Sequence, residues 1–141
     1  MVLRNIQANG LEAIIQAERL AVVGLAGPPV RFPRRSDVMN AILPDSSDSE
    51  DYDLVPTTTL SSIVAGRNLI DLMKLDCEGA EYDILLQAGE ADVRKVTEIR
   101  MEIHRGPREE LIARLMSIGY EIREYMGEDR GAGYLWMIRM A

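Results

Sequence analysis

The sequence predicts an α/β domain, on three observations. First, the nearly all-apolar run Leu69 to Leu75 is followed by Gly79 and a helical pattern with Tyr82, Leu85 and Leu86 on one side. A second, alternating run from Val96 to Ile103 comes next, so the segment reads as one βαβ unit. Second, Leu111, Ile112, Leu115 and Met116 form a stripe that fits one buried helix face, begun at Pro107 as the first helical residue and stopped by Gly119. Third, Tyr120 to Tyr125 and Tyr134 to Met140 flank the glycine-rich stretch Gly127 to Gly133, as in a closing antiparallel hairpin. The order β-α-β-α-β-β gives a mostly parallel sheet with an antiparallel C-terminal hairpin.

The remaining elements follow in chain order. Residues 1 to 8, with Val2, Leu3 and Ile6 apolar, read as helix ending at Asn9-Gly10. Arg19 to Gly24 is a β-type run, and Gly27-Pro28-Pro29 breaks it. Residues 34 to 53 include Pro44 to Asp53, dense in carboxylates and serines, which has no face to bury and reads as an exposed acidic loop. An EF-hand loop there would need Gly and Glu where the chain has Glu50 and Pro56. Thr59 is placed to cap a short helix through Leu60, Ile63 and Val64, stopped by Gly66. The run Leu69 to Leu75 has the apolar character of a strand covered on both faces.

Composition narrows the function classes. The 141 residues suit one domain, and 47% hydrophobic against 28% charged residues suits a folded one. A net charge of -7 argues against sequence-independent binding to nucleic acid, which requires clustered Lys and Arg. The basic cluster Arg31, Arg34 and Arg35 reads as a surface turn, with contact to an anionic substrate as the alternative. The single cysteine, Cys77, excludes an internal disulfide and reads as a small buried side chain. No apolar run reaches the ~20 residues that span a membrane, and the first 16 residues lack a signal-peptide core, so a cytoplasmic protein is expected. Trp136 and the eight methionines read as core packing.

Several segments carry a family resemblance: Val55-Pro-Thr-Thr-Thr-Leu60, the motif Ile70-Asp-Leu-Met-Lys-Leu-Asp-Cys-Glu-Gly-Ala-Glu-Tyr-Asp-Ile-Leu85, Glu102-Ile-His104, Leu115 to Tyr120, and Leu135-Trp136. With Asn5-Ile-Gln-Ala-Asn-Gly-Leu11 they are colinear over nearly the whole chain. They resemble the C-terminal part of the FkbM family of S-adenosylmethionine-dependent methyltransferases. The resemblance implies a partial Rossmann-like methyltransferase fold over residues 1 to 141, with S-adenosylmethionine as cofactor and a small-molecule hydroxyl, on a sugar or natural product, as acceptor. It also implies that the first two strands of the family's sheet, with the glycine-rich turn that meets the cofactor, precede the part of the domain seen here. No Gly-x-Gly turn follows a strand near residue 1. Weak cofactor binding and impaired activity are therefore expected of this chain alone, and a non-catalytic interaction module is the alternative reading.

Methyl transfer to oxygen needs a hydroxyl held in line with the methyl donor and a base or metal ion to help remove its proton. Asp76 and Glu78 follow one strand and Glu102 and His104 end the next. In a parallel sheet such groups gather beyond the carboxyl ends of the strands. Asp76 and Glu78 are candidates for positioning the acceptor or holding a divalent ion; their alternative is to cap the helix from Ala80. His104, the lone histidine, is the candidate base, with a structural role as its alternative. Lys74, inside an apolar strand, is expected to have an ionic partner. With the parent strand order, Leu69 to Leu75 becomes an unpaired edge. Two outcomes relieve it: two-fold self-association, or Leu20 to Gly24 moving in beside it.

Overall fold

The structure is a computed structural model, and it describes residues 2–34, 51–127 and 132–140. Its elements are α1 (Val2–Ala8), β1 (Ala21–Val23), β2 (Val30–Pro33), β3 (Tyr52–Val55), β4 (Thr57–Thr59), α2 (Leu60–Ile63), β5 (Ile70–Leu75), α3 (Ala80–Gln87), α4 (Glu90–Val93), β6 (Val96–Ile103), α5 (Arg108–Ser117), β7 (Tyr120–Gly127) and β8 (Gly133–Arg139). The main sheet has four strands in the order β5-β6-β8-β7. Strands β5 and β6 run parallel across α3, as a βαβ unit requires, while β8 is antiparallel to both β6 and β7. The sheet is therefore mixed rather than mostly parallel, because the C-terminal hairpin supplies half of its strands.

One face of this sheet makes the core. Ile99, Met101 and Ile103 of β6 and Leu135 and Met137 of β8 are almost fully buried beneath Tyr82, Ile84 and Leu85 of α3 and Leu111 and Leu115 of α5. The period of two on the strands and of about 3.6 on the helices aligns these residues, and each large one contributes roughly 1.5–3 kcal/mol on burial. Pro107 is the N-cap of α5 rather than its first helical residue, and Met116, expected on the buried stripe, is 53% exposed. Met126 and Met140 are likewise exposed, so the core reading holds for Met101 and Met137 but not for every methionine. Trp136 lies on the opposite sheet face, where the Arg100 guanidinium stacks on its ring at 4.4 Å.

Polar clamps close the layers. Arg114 donates to the carbonyls of Leu85 and Ala88, the last acceptors of α3, and Arg94 donates to the Ile118 carbonyl at 2.6 Å. The buried Tyr120 hydroxyl lies 2.8 Å from the Val93 carbonyl and 2.6 Å from that of Val96. Burial pushes this phenol from 10.0 up to about 12. Its folded value is the higher one, so the stabilisation it gives is complete below pH 10 and disappears as pH rises toward 12. Alkaline titration followed by circular dichroism is expected to show a loss of stability across that window, smaller in Tyr120→Phe than in the parent chain. Equal alkaline loss in the two proteins would contradict this account.

Outside the main sheet, β1 pairs in parallel with β4, and β2 pairs antiparallel with β3. Thr59 caps α2 as expected, its hydroxyl accepting from the Ser62 N–H. Tyr52 and Asp53, expected at the end of an exposed acidic loop over 34 to 53, belong to β3; residues 35–50 of that expectation lie outside the described residues. Arg31 stacks on Tyr52 at 3.9 Å, and Arg34 pairs with Asp53 at 2.8 Å. Arg19 also donates to Asp53, and the hydrogen bonds from Arg34 and Arg19 hold its carboxyl below its usual range. Two members of the basic cluster thus have partners within the fold; Arg35 lies outside the described residues.

Strand β5 has β6 on one side and, among the described residues, no strand on the other. Leu69 and Leu72 are 58% and 50% exposed, so this strand is not covered on both faces as its apolar run suggested. Nor does β1 move in beside it, because β1 is satisfied by β4.

Candidate functional site

The site grows from the turn between β5 and α3. After Leu75 the chain must reverse into a helix within four residues, and it does so through two consecutive left-handed residues, Glu78 at φ 52° and Gly79 at φ 105°. The first costs about 1–2 kcal/mol for a residue with a Cβ, the kind of local strain that gathers at functional sites. A methyl group on Gly79 would meet no atom within 4 Å, so Gly79→Ala carries a conformational cost alone. That substitution is expected to lower stability by about 1–2 kcal/mol, read as a drop in the thermal midpoint; an unchanged midpoint would show that the turn carries no strain.

Beyond this turn stands Glu81, the second residue of α3, whose side chain is wholly buried. Its Oε2 accepts from the Gly79 N–H at 2.9 Å, and its Oε1 accepts from the His104 N–H at 2.8 Å. The same Oε1 lies 3.2 Å from Nδ1 of the His104 ring. The next residue, Tyr82, donates its hydroxyl to the His104 carbonyl at 2.7 Å. Two adjacent helix residues thus fasten the end of β6 to the start of α3 through both peptide groups of His104.

The His104 ring is mostly covered, and its Nε2 faces the rim, 3.3 Å from Glu78 Oε2 and 3.9 Å from Glu102 Oε1. Of the four residues expected to converge, Glu78, Glu102 and His104 do so. Asp76 departs from them and pairs with Lys74 at 3.2 Å, which gives that lysine its expected partner. Neither Asp76 nor Glu78 caps α3: the N-cap is Gly79 without a side-chain bond, and the reach back to its N–H is made by Glu81. Glu81 is the residue that the sequence reading missed. The available signal was an acid in the first turn of a helix, where a carboxylate can bond backward to the cap as in a capping box.

Cys77 takes no nucleophilic part in this arrangement. Burial, with nearby Glu81 adding to it, pushes its thiol from 9.0 up to about 12, so the thiolate is scarce at neutral pH. Among the described residues no group of three or more His, Cys, Asp or Glu side chains has the geometry to hold a metal ion.

Beside the rim opens a cleft of about 590 Å³ between β1, the end of β5 and the first turns of α3. Leu20, Val22, Phe32 and Ile84 give it apolar walls, and Lys74, Asp76, Glu78 and Asp83 line it with charge. Asp83 also anchors the far wall by accepting from the Gly24 N–H at 2.6 Å. A Cβ on Gly24 would lie 2.3 Å from the Asp83 carbonyl oxygen, so glycine is what lets β1 approach the helix this closely.

Two parallel strands of a mixed α/β domain thus deliver acids and a histidine to one rim, next to a cleft of ligand size. The model of the methyltransferase FkbM domain matches residues 19–135, more than half of the chain, and the protein belongs to that family. No curated protein and no solved structure matches the chain. No helix among the described residues is long and apolar enough to cross a membrane.

Proposed function

We propose that this methyltransferase domain moves a methyl group from S-adenosylmethionine to a hydroxyl of a sugar or natural-product acceptor, in the cytoplasm. The observation that carries the reading is the convergence of His104 Nε2, Glu78 and Glu102 at one rim, joined through Glu78 to the cleft that Glu78 also lines. The cleft's chemistry fits the cofactor. Its volume lies within the usual ~300–1,000 Å³ of small-molecule sites, its walls are apolar beside Phe32, and Asp76, Glu78 and Asp83 offer carboxylates to a cationic sulfonium. Bound there, S-adenosylmethionine supplies an electrophilic methyl group. The chain's own residues would do the rest: Glu78 and Glu102 would accept from neighbouring hydroxyls of the acceptor and so orient it, and His104 Nε2 would take the proton of the reacting hydroxyl as the O–C bond forms and the bond from the methyl to the sulfonium sulfur breaks, leaving a neutral thioether. Asp76 and Lys74, paired on the near wall, hold the polar end of the cofactor.

The cradle is incomplete in one respect, since none of the described strands ends in a Gly-x-Gly turn. Calorimetric titration with S-adenosylmethionine is therefore expected to give a dissociation constant weaker than about 10 μM, roughly −7 kcal/mol. A tighter value would mean that the cleft needs no such turn. The free edge of β5 supports a further part of the proposal, that a second copy of the chain pairs with it about a two-fold axis. Gel filtration with light scattering is expected to report a dimer; a monomer with low amide-exchange protection along β5 would exclude it.

A further inference from the structure

We infer that Glu81 is a positioning residue that fixes the His104 imidazole with its proton on Nδ1, so that Nε2 is the nitrogen that exchanges protons at the rim. Three observations converge on this. Glu81 is fully buried and cannot turn to solvent. Its Oε1 is shared between the His104 N–H at 2.8 Å and ring Nδ1 at 3.2 Å, and a carboxylate oxygen can only accept. Nε2 also faces an acceptor, Glu78 Oε2 at 3.3 Å, but the Glu78 side chain is 24% exposed and can turn to water whereas Glu81 cannot, so the single proton of a neutral ring belongs on Nδ1. The other oxygen of Glu81 is held by the Gly79 N–H at 2.9 Å, and the His104 carbonyl is held by Tyr82, which fixes the carboxylate and the His104 backbone relative to each other. With Nδ1 committed, Nε2 faces Glu78 and Glu102 whether the ring is neutral or cationic. The backbone donors matter as much as the ring: they satisfy the buried carboxylate and aim its second lone pair at Nδ1. The arrangement is that of an acid orienting a catalytic base, in which the acid touches no substrate. The catalytic use of Nε2 rests on the methyl-transfer reading, but the state of the ring does not.

The chain has one histidine, so its ring nitrogens can be observed without ambiguity in the intact ¹⁵N-labelled protein. With the imidazole in its neutral form, the expected spectrum shows a protonated Nδ1 and a bare Nε2, the reverse of the tautomer that free histidine favours in water. In Glu81→Gln the amide can donate to Nδ1, and the ring is expected to shift to the Nε2–H form or to a mixture. In the active enzyme the same variant should lose on the order of 100-fold in kcat, with KM little changed. A wild-type ring carrying its proton on Nε2 overturns the inference without needing any variant. So does an Nδ1–H ring that persists unchanged in folded Glu81→Leu, whose side chain offers no acceptor to hold the proton there. A single Nδ1–H tautomer in a protein that transfers no methyl group would uphold the positioning role and sink the reading of the reaction, so the two failures are separable.

Discussion

Replacing His104 with alanine is expected to lower methyl transfer by about 10²- to 10⁴-fold, the usual contribution of a general base, while leaving the domain folded. The second half of that expectation follows from the way the residue is held. Its structural bonds, from the N–H to Glu81 and from Tyr82 to the carbonyl, belong to the backbone and survive the substitution. What is lost is the ring, with Nε2 at the rim and Nδ1 against Glu81. Initial rates with a labelled methyl donor, set beside thermal melting of the same sample, separate the two effects. A rate within a factor of about three of the parent would assign His104 to structure alone. Asp76→Asn should cost less than His104→Ala, because Asp76 is turned toward Lys74 and away from the three converging groups.

The largest loss of stability is expected from Glu81→Ala. The substitution strips the wholly buried acceptor from two part-buried N–H groups, those of Gly79 and His104. Each such orphan costs about 1–3 kcal/mol, and their sum is a large part of the ~5–15 kcal/mol that holds a domain together. Removing a buried carboxylate refunds some desolvation, but the donors around it stay in place and unmet. In urea the unfolding midpoint should fall by more than about 1 M, whereas Glu102→Ala, at an exposed carboxylate, should leave it nearly unchanged. A Glu81→Ala midpoint equal to that of the parent would mean that water or a rearranged turn replaces the carboxylate.

These two residues mark how far the sequence could be read. His104 was legible because it is the lone histidine and stands at the end of an alternating run, where parallel sheets collect their chemistry. Glu78 and Glu102 were legible on the same ground. Glu81 was not, because its role depends on which strand end its helix crosses, and its partner lies 23 residues away. Asp76 stands apart from the converging three for a related reason: a strand's period of two puts it on the same side as Lys74, with which it pairs. The short strands β2, β3 and β4 were equally hidden, being only three or four residues long and stabilised by pairing rather than by a periodic apolar face.

By itself the sequence determined the βαβ unit, the C-terminal hairpin, the cap at Thr59 and the family, because periodicity, turn residues and motif spacing are local properties written along the chain. Only the tertiary structure decided that β1 pairs with β4, that β5 is an edge among the described strands, and that a wholly buried glutamate holds the histidine. Each of these depends on which distant groups meet across the fold, and such meetings are settled by packing and by the cost of leaving a buried polar group unpaired.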